Sequence, residues 1–358
     1  MPIVPPSPPT TRVPVRAAVW WRRHAMRGGM AAAALVAMGV AALAAQRAWQ
    51  DAHIVQRWPA PGTLVDVGGH RLHLRCMGGG GAPPIVLEAG MGGWSQDWAA
   101  VQPLLARGGR VCAYDRAGYG WSGTPMQPRT GLQAVQDLRR ALDAAGLPSP
   151  RVLAGHSMGG LLVGLYARTY PQDVAGLAFV DAVGRDYAAQ FPAPRYAAFR
   201  ASLGRLLAGA AALAPWGLPQ AAGLSTSLVA VRLPLPERDS AQAWGLSVRH
   251  YRTLRAENEA FDGVLAEALA AGPLPRVPVR VLGSGKMNDF PPGLEDEAMR
   301  TAWVRNQERI AQEAGVVRVV LARSGHYLHL DEPQAVAQAL DGLRAEARVF
   351  AQRPHNPF

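Results

Sequence analysis

The chain has 358 residues, 49% of them hydrophobic and 18% charged, with two cysteines and a formal charge of +11. That size and balance exclude a disordered chain and suffice for one large core carrying an insertion. The positive charge is almost entirely arginine, Lys286 being the single lysine; it is scattered and lacks an aromatic-basic motif, which argues against nucleic acid as a partner.

Residues 1–27 begin with the proline-rich run MPIVPPSPPT and carry Arg12, Arg16, Arg22, Arg23 and Arg27, so they read as a flexible, basic, disordered tail. From Gly28 to Gln46 there is no charge, and the first acid is Asp51. As a helix, residues 28–46 rise about 28 Å, close to the hydrocarbon thickness of a bilayer. The preceding arginines hold the N-terminus in the cytoplasm and send the rest across. Two readings stay open: an uncleaved transmembrane signal anchor, or a signal peptide cleaved near Ala42-Leu43-Ala44, with Arg22-Arg23 as a weaker twin-arginine signal. Both put the following domain outside the cytoplasm (the periplasm, in a bacterium), anchored or secreted. Cys76 and Cys112 are an even pair suited to an oxidising compartment, or else two buried thiols.

Alternation around Gly68-Gly69 predicts a hairpin, Thr63 to Val67 and His70 to Arg75. Ile85 to Glu88 reads as a buried strand, WSQDWAAVQPLLARGG as a helix, and RVCAYD as a strand followed by a glycine-rich loop. TGLQAVQDLRRALDAAG is an amphipathic helix capped by Thr130 and stopped at Gly146. RVLAGHS is a strand, MGGLLVGLYARTYP a helix and VAGLAFVDA a strand. The rhythm breaks over 183–275, which is rich in alanine, leucine and proline. It resumes with VPVRVLGSG (strand), LEDEAMRTAWVRNQERIAQEAG (helix), VRVVLARSG (strand) and EPQAVAQALDGLRAEARVF (helix). Such alternation predicts an α/β fold: a mostly parallel sheet with helices on both faces, formed by 60–182 and 276–350, with 183–275 as a helical cap or lid at a strand end.

GHSMGG, Gly155 to Gly160, lies between a predicted strand and helix. A G-x-S-x-G turn there lifts Ser157 clear of the sheet as a nucleophile. Gly155 and Gly159 avoid collisions in the elbow, and Gly160 eases helix packing. The Met158 amide, at the helix start, points where an oxyanion would form. In EAGMGG the amide of Met91 is the second oxyanion candidate, with glycines at 90, 92 and 93 letting backbone approach a ligand. His326 follows a strand in LARSGHYLHLDEP and is the candidate base; His329 is the weaker choice. Trp94 and Trp98 flank the oxyanion loop and either shape a pocket or pack in the core.

EAGMGGWSQDW, CAYDRAGYGWSG, AGHSMGG and SGHYLHLDEP, in this order and spacing, resemble the α/β-hydrolase superfamily, and most closely its serine hydrolases with a lid between the sixth and seventh strands. The resemblance spans about 60 to 348. It implies an eight-stranded sheet, an inserted cap and a Ser-His-acid triad using Ser157 and His326, with the amides of Met91 and Met158 as oxyanion hole. The acid is not carried over cleanly. Members commonly place it after the seventh strand, where VRVLGSGKMNDF offers only the late Asp289; a variant places it after the sixth, at Asp181. Both stay open, with Asp186 and Glu88 behind them. The family strand order makes the second and fourth strands neighbours, which implies a disulfide between Cys76 and Cys112.

The implied chemistry is cleavage of a small-molecule ester-type acyl bond through an acyl-enzyme, with no metal or organic cofactor. A serine at the elbow argues against the branches of the superfamily that use aspartate there. Acyl transfer by the same triad and a non-catalytic binding protein on the same fold are the alternatives. The apolar stretch YAAFRASLGRLLAGAAALAPWGLPQAAGL packs on the sheet domain, lines an acyl pocket or rests on a bilayer.

Overall fold

A computed structural model describes residues 15–80, 83–125, 127–223, 230–286 and 296–352. The first element is a long helix, α1 (Val15–Arg57). It begins inside the stretch expected to be a flexible tail. From Val15 that expectation is overturned: no proline interrupts a run of alanine, tryptophan, arginine and methionine, which sustain a helix. Residues 1–14 lie outside the described residues.

The hairpin β1 (Thr63–Asp66) and β2 (Arg71–Met77) opens the sheet, turning through Gly68 and Gly69 at φ of 90° and 103°. After β3 (Ile85–Glu88) the expected single helix is instead a 3-10 turn, Ser95–Trp98, and a short helix, α2 (Gln102–Leu105). Pro103 explains the break, since its ring would clash with the carbonyl four residues earlier. Then come β4 (Val111–Asp115), α3 (Gly131–Ala144), β5 (Arg151–His156), α4 (Met158–Thr169) and β6 (Val174–Val180). Thr130 caps α3 as predicted, its hydroxyl accepting from the Gln133 amide at 3.0 Å.

The insertion comprises α5 (Ala193–Leu213), α6 (Leu218–Ala221), α7 (Leu235–Gly245) and α8 (Val248–Ala270), the last capped by Ser247. The chain closes with β7 (Val279–Ser284), α9 (Glu297–Ala314), β8 (Arg318–Leu321), α10 (Leu328–Asp331) and α11 (Pro333–Ala351).

The strands form one eight-stranded sheet, ordered β1-β2-β4-β3-β5-β6-β7-β8. The first two junctions are antiparallel and the remaining five parallel. Successive side chains serve opposite faces. Val86 and Leu153 pack with α3, α4 and α9, while Ile85, Leu87, Val152 and Ala154 pack with α2 and α11. Cys76 is in register with Cys112 across β2 and β4, and the two form a disulfide. The parallel strands all end at the edge of the sheet that receives the insertion, and the candidate residues gather there.

Candidate active site

Ser157 sits between the last residue of β5 and the first of α4, at φ 52°, ψ −124°. A β-carbon in such a conformation is strained, and its neighbours must hold it there. Its amide donates to the Val180 carbonyl at 3.2 Å, and its carbonyl accepts from Val183 at 2.8 Å and Gly160 at 3.0 Å. The surrounding glycines are sterically required. A β-carbon on Gly155 would lie 2.3 Å from the Gly159 carbonyl oxygen, one on Gly159 would lie 2.6 Å from the Glu88 and Ala89 carbonyls, and one on Gly160 would lie 2.1 Å from the Ala182 β-carbon.

Because His156 pairs with Val180, the residues that follow, Ser157 and Asp181, lie side by side at adjoining strand ends. Asp181 is fully buried, with φ 42°. Its Oδ1 accepts from the Ser284 amide at 2.9 Å and the Ser284 hydroxyl at 3.1 Å. Its Oδ2 accepts from Trp303 Nε1 at 3.1 Å and meets His326 Nδ1 at 2.7 Å. With three other donors on it, the carboxylate takes the His326 proton bond as acceptor; Nδ1 therefore carries the hydrogen and Nε2 offers its lone pair.

His156, the variable residue of the elbow motif, has a part the sequence did not signal. Its Nε2 meets the His326 backbone carbonyl at 2.9 Å, which fixes it as the donor. Burial, reinforced by His329 and His326 nearby, pushes its pKa well below the ordinary value, so the ring is neutral. It thus ties the loop carrying His326 to the elbow. His329 itself is fully buried against Trp98, ring centroids 4.7 Å apart, with its pKa pushed down to about 3 by burial. It is a core residue. Trp94 and Trp98 are buried as well.

The loop after β3 passes beside the elbow: a β-carbon on Gly90 would stand 3.1 Å from the Ser157 β-carbon. Among the described residues, neither the Met91 nor the Met158 amide has a protein acceptor. The backbone groups on either side of Met91 are engaged. Arg116 donates to the Ala89 and Gly90 carbonyls at 2.7 and 2.6 Å, and Glu257 of α8 accepts from the Gly92 amide at 3.0 Å. Glu257 also takes Arg116 Nε at 2.8 Å and the Tyr119 hydroxyl at 2.8 Å, while Arg116 reaches Glu88 at 2.7 Å. Burial opposes charge on both carboxylates. Arg116 and its hydrogen bonds nevertheless hold Glu257 below the usual carboxylate range, whereas desolvation prevails at Glu88 and raises it. Arg116 thus lies between the two buried carboxylates, with Tyr114 hydrogen-bonded to Glu88.

Of the remaining candidates, Glu88 is committed to Arg116 and Tyr114, and Asp186 pairs with Arg309 at 3.0 Å. Neither contacts His326 among the described residues. Asp289 lies outside the described residues. Ser284 and Trp303, which complete the surroundings of Asp181, were missed because a strand-end serine and a helical tryptophan carry no distinguishing pattern.

The profile of the family described as "alpha/beta hydrolase fold" matches residues 83–249. Residues of this chain are 35% identical over 125 positions to "Probable transporter efuK" of Hormonema carpetanum, covering 33% of this chain and 18% of that protein. They are 39% identical over 106 positions to "Putative carbamate hydrolase RutD" of Azorhizobium caulinodans, covering 30% of this chain and 40% of the relative. The chain thus spans less than half the length of either curated relative. The solved enol-lactonase from Burkholderia xenovorans LB400 superposes with a TM-score of 0.56 at 24% identity, over 79% of this chain and 100% of that one.

Proposed function

We propose that this chain is a serine hydrolase of the α/β-hydrolase superfamily, whose profile matches residues 83–249, that it cleaves an ester-type acyl bond, and that α1 anchors it in a membrane. The observation that carries the reading is the 2.7 Å contact between His326 Nδ1 and Asp181 Oδ2, with Asp181 beside Ser157 at adjoining strand ends. It favours Asp181 over Glu88 and Asp186 as the acid.

In this reading the tautomer held by Asp181 lets His326 Nε2 take the Ser157 proton. The Ser157 oxygen attacks the acyl carbon, and the amides of Met91 and Met158 receive the oxyanion. His326 returns the proton to the leaving group. It then deprotonates a water that releases the acyl group and restores the serine.

The anchor reading rests on the apolar part of α1, whose most apolar stretch is 0% buried and is flanked by arginines. The disulfide between Cys76 and Cys112 fits a catalytic domain on the oxidising side. Hydrolysis of short and medium p-nitrophenyl esters by the full chain, beside Ser157→Ala, tests the function. Turnover lost in the variant is expected; no turnover in either protein rejects it in favour of a non-catalytic member of the fold, and equal turnover in both rejects Ser157 as the nucleophile.

A further inference from the structure

Helix α5 of the cap has an unusual outer surface. Its inner face is used: Leu207 and Ala211 are buried, and Ala211 packs with Tyr251 of α8. A surface helix normally presents charge on the other side. Here the exposed positions from Ala197 to Leu213 carry a single charge, Arg205; Leu206, Gly209, Ala212 and Leu213 are all exposed, and Trp216 just beyond is 51% exposed. Leu206 and Leu213 are seven residues apart and share a face. The segment Ala193–Trp216 is apolar enough to pass for a membrane span by hydropathy, yet it is held to the cap along its inner side.

The position of α1 says what covers this face. The turn after α5 touches α1 directly: a β-carbon on Gly217 would lie 3.0 Å from the Leu43 carbonyl. One turn further on, Arg47 Nη1 bonds Gln220 of α6 at 3.2 Å, and Asp51 accepts from the Val248 amide at 3.1 Å. The uncharged segment of α1 ends at Gln46. Leu43 is therefore about 5 Å inside that end. The Leu213–Gly217 turn stands level with the last turn of the apolar segment, at the depth where tryptophan collects and interfacial helices settle.

We propose that the outer face of α5 docks on the phospholipid bilayer that α1 crosses, with Leu206, Leu213 and Trp216 in the acyl-headgroup boundary and Arg205 among the headgroups. This rests on the anchor reading of α1. The cap then lies between the bilayer and the Ser157 site.

The test uses the full chain in vesicles of phosphatidylethanolamine and phosphatidylglycerol bearing clickable acyl chains. The photo-crosslinker p-benzoyl-phenylalanine replaces Leu35, Leu206, Leu213 or Val317 in turn. Leu35 lies in the apolar part of α1; Val317 is 86% exposed and precedes β8, at the sheet edge away from the cap. Docking predicts lipid adducts at 35, 206 and 213, and none at 317. Adducts at 35 alone overturn the docking and leave the anchor standing. Chain-to-chain adducts at 206 or 213 overturn it in favour of a second copy on that face. No adduct at 35 rejects the anchor reading and the docking together.

Discussion

Asp181→Asn is the substitution that discriminates most sharply among the candidate acids. Among the described residues the four partners of the Asp181 carboxylate all donate: the Ser284 amide, the Ser284 hydroxyl, Trp303 Nε1 and His326 Nδ1. Asparagine brings an NH2 group of its own. Turned toward Ser284, it meets a backbone N–H that cannot accept. Turned the other way, it opposes Trp303 and forces His326 into the tautomer with the hydrogen on Nε2, which blocks the base. The first arrangement leaves a buried donor unpaired, at about 1–3 kcal/mol of stability. The second removes the base function, and the corresponding change in a serine protease costs ~10⁴ in kcat. The backbone is no obstacle, because asparagine accepts φ 42° as readily as aspartate does. The expected outcome is a fall of about 10³ to 10⁴ in kcat/KM on a p-nitrophenyl ester, or roughly 4–5.5 kcal/mol of transition-state stabilisation. Asp289→Asn, measured alongside, is expected to change kcat/KM by less than about threefold. An Asp181→Asn enzyme retaining more than about a tenth of its kcat/KM would refute the assignment.

Glu257→Gln removes the charge that holds Arg116 and the Gly92 amide, so the loop bearing the Met91 amide loosens. We expect kcat to fall about tenfold with KM little changed, since the oxyanion forms only in the transition state; an unchanged kcat in a folded variant contradicts this. Burial holds His250 at about 4 and His329 at about 3, and depresses His156 with them, all below the ordinary 6.5. Below pH 6.5 the unfolded chain binds protons that these rings refuse, so stability is complete above that pH and declines as pH drops toward 4 and 3. Each ring contributes about 1.4 kcal/mol per pH unit within its window. Thermal midpoints between pH 7 and 5 are expected to fall, and His250→Phe to remove roughly a third of the fall; an unaltered pH dependence in that variant would contradict the cause given. Replacing Cys76 and Cys112 by serine opens a link across a sequence separation of 36. Chemical unfolding should register a loss of about 3–4 kcal/mol, and a variant of parental stability would show that the link is dispensable.

What the sequence disclosed follows from the range of the interactions involved. The elbow at Ser157 was legible because its requirements are local: apolar strand, glycines at 155 and 159, helix. The structure gives each of those glycines a backbone atom that a side chain would strike. The loop bearing Met91 was marked by the glycines around it in the same way. The Cys76–Cys112 pairing was legible only through the strand order of the resembled family. The choice between Asp181 and Asp289 was not legible, because Asp181 meets His326 across 145 positions and its contacts come from β7, α9 and the loop after β8. The cluster of Arg116 and Glu257 escaped for the same reason, its partners lying 141 residues apart. The start of α1 was misjudged because proline richness before Pro14 was extended over residues that contain none.

The account stands on Ser157 as an activated nucleophile. The most direct measurement is to treat the full chain with a fluorophosphonate and map the adduct by peptide mass spectrometry. The account predicts one adduct, on the peptide containing Ser157, absent from His326→Ala and blocked by prior ester substrate. No adduct on the folded protein, or an adduct on another residue that persists in Ser157→Ala, would contradict it.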